Sequence, residues 1–322
     1  MRRVAAFLAL LVSARAETLL EQTTFREAPA WRLTDGKTEA IIVPAYGGRL
    51  MRYGKIGGPN WLWTGQPDEA GEYMRWGGDK TFPGPHTLWR FTMPKAWPPP
   101  APDVTAHTVE TKPDGITTTS PPWDAFGGAK VIREYAFENG ELVIHHKITP
   151  VAGSALPVAA WVITQCEPAV AYVPLAKKSP YTDGVFWFGG KKQNVGATFI
   201  SPTLLEFRPP VGAGFKVGAH PEKPALAAVR DGVLFLQRAE VEVAARKLPM
   251  DPTAQYPEGA DGAGLSVEYY HHNLPPPRQY FELELLSPLR PAREGAAFTT
   301  RWSLHEIGTR APAEAAAELL GR

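Results

Sequence analysis

Apolar residues along this chain recur in short runs that alternate with polar ones, broken by glycine and proline, rather than at every third or fourth position. That period predicts strands. Ten segments carry it: EAIIVPA (39–45), RLMRYG (49–54), AKVIREYAF (129–137), ELVIHHKIT (141–149), PVAAWVITQ (157–165), GVFWF (184–188), GVLFLQRAEVEV (232–243), GLSVEYYHH (264–272), YFELELL (280–286) and AFTTRWSLHE (297–306). They follow one another too densely for crossover helices. Connections such as PKAWPPPAPD (94–103) and NLPPPRQ (273–279) are proline-rich, which stops helices and keeps the chain extended or turning. No period repeats along the chain, so a propeller or solenoid is not indicated. Only APAEAAAELL (311–320) reads as a helix, expected to cap or fray. The organisation predicted is one all-β domain over 17–310 and a helical tail over 311–322.

Two segments make specific predictions. Asn139-Gly140 lies between two β-rich runs, a strong signal for a hairpin from about 129 to 149. In its second strand Leu142, Ile144, His146 and Ile148 share a face, so His146 reads as a satisfied core histidine rather than a catalyst. In YFELELL, Phe281, Leu283 and Leu285 share one face and Glu282 and Glu284 the other, with the two glutamate Cα atoms roughly 7 Å apart. On an exposed face such carboxylates are solvated. On a recessed face they become candidates for acid–base work or hydroxyl binding.

Composition narrows the partner. Aromatics make up 11% of the 322 residues, with 30 glycines and 33 prolines, in keeping with many strands and turns. Net charge is +1 with both signs spread along the chain, which gives no basic stripe for nucleic acid and no polybasic patch for a membrane. A small neutral ligand or a neutral polymer fits better. Cys166, the single cysteine, sits in the apolar run WVITQC and reads as an inert buried thiol. Residues 1–16, MRRVAAFLALLVSARA, combine Arg2-Arg3, an apolar run and Ala14-Arg15-Ala16, the layout of a secretory signal peptide cleaved near Ala16. The run is far shorter than the ~20 residues a spanning helix needs, so no membrane insertion is expected after cleavage. The expected location is the periplasm or the outside of the cell.

RWGGDKTFPGPHTLWRF (75–91) has no clean period and reads as a functional loop. Asp79, Lys80, His86 and Arg90 lie beside Trp76, Trp89 and Phe91, so hydrogen-bonding groups alternate with flat rings. A sugar asks for that mixture, since its hydroxyl edges take hydrogen bonds and its C–H faces take aromatic surface.

The order IIVPAYGGRLMRYGKIGGPNWLW (41–63), GGDKTFPGPHTLWR (77–90), LPVAAWVITQ (156–165), GLSVEYYHHN (264–273), YFELELLSPL (280–289) and AFTTRWSL (297–304) resembles the galactose mutarotase-like superfamily, most closely a branch of exported bacterial proteins. The resemblance runs over about residues 30 to 306. It implies a single large antiparallel β-supersandwich with a carbohydrate site on the concave face of one sheet. It also implies ligand contacts from Arg49 and Asn60 in the first motif, and from Trp76, Asp79, Lys80, His86, Trp89 and Arg90 in the glycine-rich stretch. Glu268, Glu282 and Trp161 join them from the later strands.

Mutarotation needs a base at the anomeric hydroxyl and an acid at the ring oxygen. The superfamily's enzymes use a glutamate and a histidine, and Glu284, followed by Pro288, corresponds to the glutamate. The segment that should carry the histidine reads LPVAAWVITQCEPAVAY instead, with Trp161, Thr164 and Gln165. His86 and Lys80 are the nearest substitutes for the acid, with His271 and His272 behind them. Loss of one acid–base partner typically removes ~10²–10⁴ in rate, which leaves binding intact. Two functions follow: an exported carbohydrate-binding protein, or an aldose epimerase-like enzyme using Glu284 with a non-standard acid. No metal site is expected from Glu268, His271 and His272, because alternation puts the two histidines on opposite faces. With no Walker loop, nucleophile elbow or dinucleotide fingerprint, no cofactor is expected.

Overall fold

The computed structural model describes residues 18–65, 76–84, 101–154, 157–179, 181–188, 196–208, 214–240, 264–272 and 276–321. Its first strands are β1 (Leu19–Phe25), β2 (Ala28–Thr34), β3 (Thr38–Val43), β4 (Arg49–Lys55) and β5 (Asp79–Gly84). The chain continues through β6 (Thr108–Lys112), β7 (Gly115–Thr119), β8 (Val131–Glu138), β9 (Glu141–Ile148) and β10 (Pro157–Cys166). Next come β11 (Val170–Pro174), β12 (Phe186–Trp187), β13 (Ala197–Ser201), β14 (Leu204–Phe207), β15 (Phe215–Ala219) and β16 (Ala225–Arg230). The last are β17 (Val233–Glu240), β18 (Val267–His271), β19 (Phe281–Leu286), β20 (Arg290–Pro291), β21 (Ala296–Glu306) and the helix α1 (Pro312–Gly321).

These strands build two antiparallel sheets. The first runs β1-β2-β3-β4-β5-β10-β19-β18-β15-β12, with β20 beside β10, and the second β13-β14-β11-β16-β17-β21-β9-β8-β7-β6. All ten predicted segments contain strands. The hairpin is β8–β9, closed by Glu138 opposite Glu141, and both turn residues adopt left-handed backbone, Asn139 at φ 53° and Gly140 at 81°. That mirror-image turn matches the strand twist.

One shared core fills the space between the sheets. Phe281, Leu283 and Leu285 of β19 are fully buried there with Tyr53, Phe235 and Trp302. Some polar side chains in this interior are paired across the sheets. His146 is held by Thr81 (2.8 Å) from one sheet and Thr300 (2.9 Å) from the other, and burial pushes it well below the usual histidine range. Cys166 is buried and its thiol is pushed well up by burial.

One expectation needs correcting. Part of the 75–91 stretch is strand β5, in the middle of the first sheet, rather than loop. All six of its residues are buried on both faces, so no polar alternation marks it. Pro83 fits because β4 meets β5 only at Asp79, which leaves one side of β5 without a ladder there. Of the two alternatives for the C-terminal helix, capping or fraying, the structure shows the first: Ala315, Ala316, Leu319 and Leu320 are buried on the outer face of the second sheet against Tyr172, Ala227, Leu234 and Leu236. Among the described residues, no helix is long and apolar enough to cross a membrane.

Candidate functional site

Strand register places the chemistry on the outer face of the first sheet. Lys80, Ile163, Glu284, Glu268 and Gly218 stand side by side across β5, β10, β19, β18 and β15. The neighbouring row on the same face is Gln165, Glu282, Tyr270 and Lys216. Adjacent rows bring acidic and basic side chains together, although they come from distant parts of the chain.

Glu284 and Glu268 are fully buried, and Lys216 lies between them. Its Nζ is 2.6 Å from Glu268 Oε2 and 3.0 Å from Glu284 Oε2. The indole of Trp161 donates Nε1–H to the same Glu284 oxygen at 2.6 Å. Glu284 Oε1 is buried with no hydrogen-bond partner among the described residues. The Lys216 ammonium also sits 5.0 Å from the Trp161 ring and 5.2 Å from that of Phe188, a position that aromatic faces favour for a cation. Pairing of this kind is what allows two carboxylates to remain under cover.

Glu282, two residues before Glu284, occupies a different environment. Gln165 Nε2 donates to its Oε1 at 2.8 Å. Burial, and then the charge of Glu284, push its carboxyl up to about 7, with Lys80 pulling the other way. Burial pulls Lys80 down to about 8, and its ammonium rests 4.6 Å from the Phe82 ring centre. An aromatic wall stands beside Glu282: Tyr280 stacks on His272 (4.5 Å, 10°) and on Trp63 (4.5 Å, 28°), whose indole donates to the Pro277 carbonyl at 3.0 Å.

The structure thus brings together Trp161, Glu268, Glu282 and Glu284, with Lys80 at the end of their row. Arg49, Asn60, Trp76 and Asp79 are engaged in contacts of their own. Arg49 makes a buried two-pronged ion pair with Asp103 (2.7 and 2.8 Å) and donates to the Gly77 carbonyl. Asn60 braces its turn by accepting from the Tyr53 and Leu62 amides and donating to the Met51 carbonyl. Trp76 stacks on Tyr46 at 3.9 Å. Asp79 turns inward to the Arg133 guanidinium of the opposite sheet and accepts from Thr164 at 2.8 Å. His86, Trp89 and Arg90 lie outside the described residues. His271 faces inward beside Phe215, whereas His272 joins the aromatic wall. Among the described residues no group of His, Cys, Asp and Glu is arranged to hold a metal.

Lys216 is the member of this cluster that the sequence did not single out. It stands 68 positions from Glu284 in FKVGA, a short segment whose alternation is visible but whose partner strand is not. Chemically, the cluster offers an oriented carboxylate with one buried acceptor oxygen that has no partner among the described residues, an ammonium, a carboxyl pushed up to about 7 and aromatic rings.

No family model and no curated protein matches this chain. Solved structures do. A candidate aldose 1-epimerase from Klebsiella pneumoniae subsp. pneumoniae MGH 78578 superposes at TM-score 0.58 and 12% identity, over 94% of this chain and 86% of that one. A galactose mutarotase-like protein from Lactobacillus casei ATCC 334 gives 0.53 at 9% identity, over 89% of this chain and 100% of its own. A galactose mutarotase related enzyme from Lactobacillus acidophilus gives 0.50 at 8% identity, over 87% and 99%. Sheet order, antiparallel pairing and these superpositions agree: the chain has the galactose mutarotase-like β-sandwich fold.

Proposed function

We propose that this protein binds a saccharide on the outer face of its first sheet, centred on Glu284. The observation that carries this reading is the state of that carboxylate. Trp161 and Lys216 both hold Oε2, while Oε1 is an oriented acceptor without a partner among the described residues. A sugar hydroxyl is a donor of the right size for it, and Trp161, Tyr280 and His272 supply ring surface nearby. Binding ranks ahead of turnover because the group that meets Glu284 from β10 is an indole, which donates a hydrogen bond but cannot exchange its proton near neutral pH. The reading extends to an exported protein, on the strength of the signal-like residues 1–16.

One observation favours the second reading, an epimerase-like enzyme. Glu282 and Glu284 share a strand face but have different partners, Gln165 on the one and Trp161 with Lys216 on the other, and burial followed by the Glu284 charge pushes the Glu282 carboxyl up to about 7. Two carboxyls whose environments differ in this way can divide the roles of acid and base. Saturation-transfer NMR against hexoses, hexosamines and uronic acids, with anomer exchange followed in the same tubes, tests both. Binding lost in Glu284→Gln supports the proposal. Accelerated exchange lost in the same variant promotes the enzyme, and no binding by any sugar rejects both.

A further inference from the structure

We infer that a cleft at the open end of the sandwich is a second sugar subsite, so that the ligand of this protein is an oligosaccharide rather than a single sugar. The inference rests on the saccharide reading above. The cleft has a volume of about 600 Å³, within the range of small-molecule sites, and is lined by Lys177, Ser179, Tyr181, Asp183, Phe199 and Pro202. It lies between the edge strands of the two sheets: Tyr181 and Asp183 lead into β12, and Phe199 belongs to β13.

Its lining has the same chemistry as the Glu284 cluster. Phe199 is 43% exposed, a large ring left open to water at a concave surface, where it can cover the apolar face of a sugar. Asp183 holds a left-handed backbone conformation (φ 59°) and is followed by Gly184 in the same region (φ 77°). The Tyr181 amide donates to Ser179 Oγ at 3.1 Å, which ties down the entry to this turn. A non-glycine residue in that region is retained where its surroundings impose it, and such positions gather at ligand sites. Asp183 and Lys177 provide an acceptor and a donor for hydroxyls beside the ring.

A chain of ring contacts links the cleft to Glu284. The Tyr181 ring in the cleft wall meets Phe186 at 5.4 Å, Phe186 meets Phe188 at 5.1 Å, and Phe188 faces the Lys216 ammonium at 5.2 Å. Lys216 then contacts Glu284. The cleft and the Glu284 cluster therefore stand at the two ends of one short line of contacts, and the inference is that one oligosaccharide spans them. Linked subsites strengthen binding with chain length, because the second contact is made within an already bound ligand.

The test is calorimetric titration of the purified protein with glucose, galactose, N-acetylglucosamine and galacturonic acid, each as the monomer and as its hexamer. The hexamer of the preferred sugar should bind at least about tenfold more tightly than the monomer. Phe199→Ala and Asp183→Asn, both on the surface, should remove that gain and leave monomer affinity unchanged. Equal affinity of monomer and hexamer, or a gain that survives both substitutions, overturns this inference and spares the Glu284 site. Absence of binding across the whole panel overturns both together.

Discussion

Trp161 and Glu284 meet diagonally across β10 and β19, with the indole N–H 2.6 Å from a fully buried carboxylate oxygen. The tryptophan thus holds one oxygen of the glutamate through an N–H donor. Trp161→Phe keeps the ring and removes the donor. Hydrogen bonds to charged groups contribute about 1.5–3 kcal/mol, so urea denaturation should show a loss in that range. Sugar affinity should fall as well, since Glu284 loses one of the two groups that orient it. An unchanged urea midpoint would show that Lys216 alone suffices.

Lys216 is the single cation in contact with both Glu268 and Glu284 among the described residues. Lys216→Met retains the length of the side chain and removes its charge, leaving two like charges under cover. Breaking a buried ion pair costs about 3–5 kcal/mol. Adding Glu268→Gln should recover part of it. Thermal unfolding of the three proteins decides the matter, and a loss that Glu268→Gln does not relieve would assign the effect to packing.

How far the site could be read from the sequence follows from which interactions are local. Alternation in YFELELL places Glu282 and Glu284 on one face, and Asn139-Gly140 marks its hairpin, because both depend on neighbours in the chain. Lys216 and Trp161 reach Glu284 only through sheet register, which no local pattern encodes. The sequence places Asp79 and Lys80 side by side in a stretch that reads as one functional loop. As neighbours on a strand they point to opposite faces, Asp79 to Arg133 in the interior and Lys80 to the row that holds Glu284. A strand buried on both faces carries no alternation to give this away.

Glu282 makes a pH-dependent prediction. Its carboxyl lies at about 7 in the folded protein against 4.5 as the ordinary value, so folding favours its protonated form. The stability it contributes is complete below about pH 4.5 and is lost as pH rises through about 7. Glu282→Gln, which mimics the protonated form, should therefore gain on the wild type between pH 5 and pH 8. Glutamate side-chain NMR of Glu284→Gln should show the Glu282 midpoint moving down, because the charge of Glu284 is the second cause of its elevation. A midpoint that stays in place would leave burial as the whole cause.

Asp79 and Arg133 join the two sheets through a buried ion pair that Thr164 and Gln237 extend. Asp79→Asn leaves the guanidinium buried without its counter-charge, at a cost of about 3–5 kcal/mol. Asp79→Leu with Arg133→Met removes both charges and should recover most of that loss, since the apolar pair suits a core already dominated by hydrocarbon. Neither residue points to the face that carries Glu284, so the folded fraction of each variant should bind sugar with unchanged affinity. Urea denaturation and calorimetry on the same samples separate the two quantities. A double variant with normal stability and lost binding would move Asp79 from the frame of the protein into its ligand site.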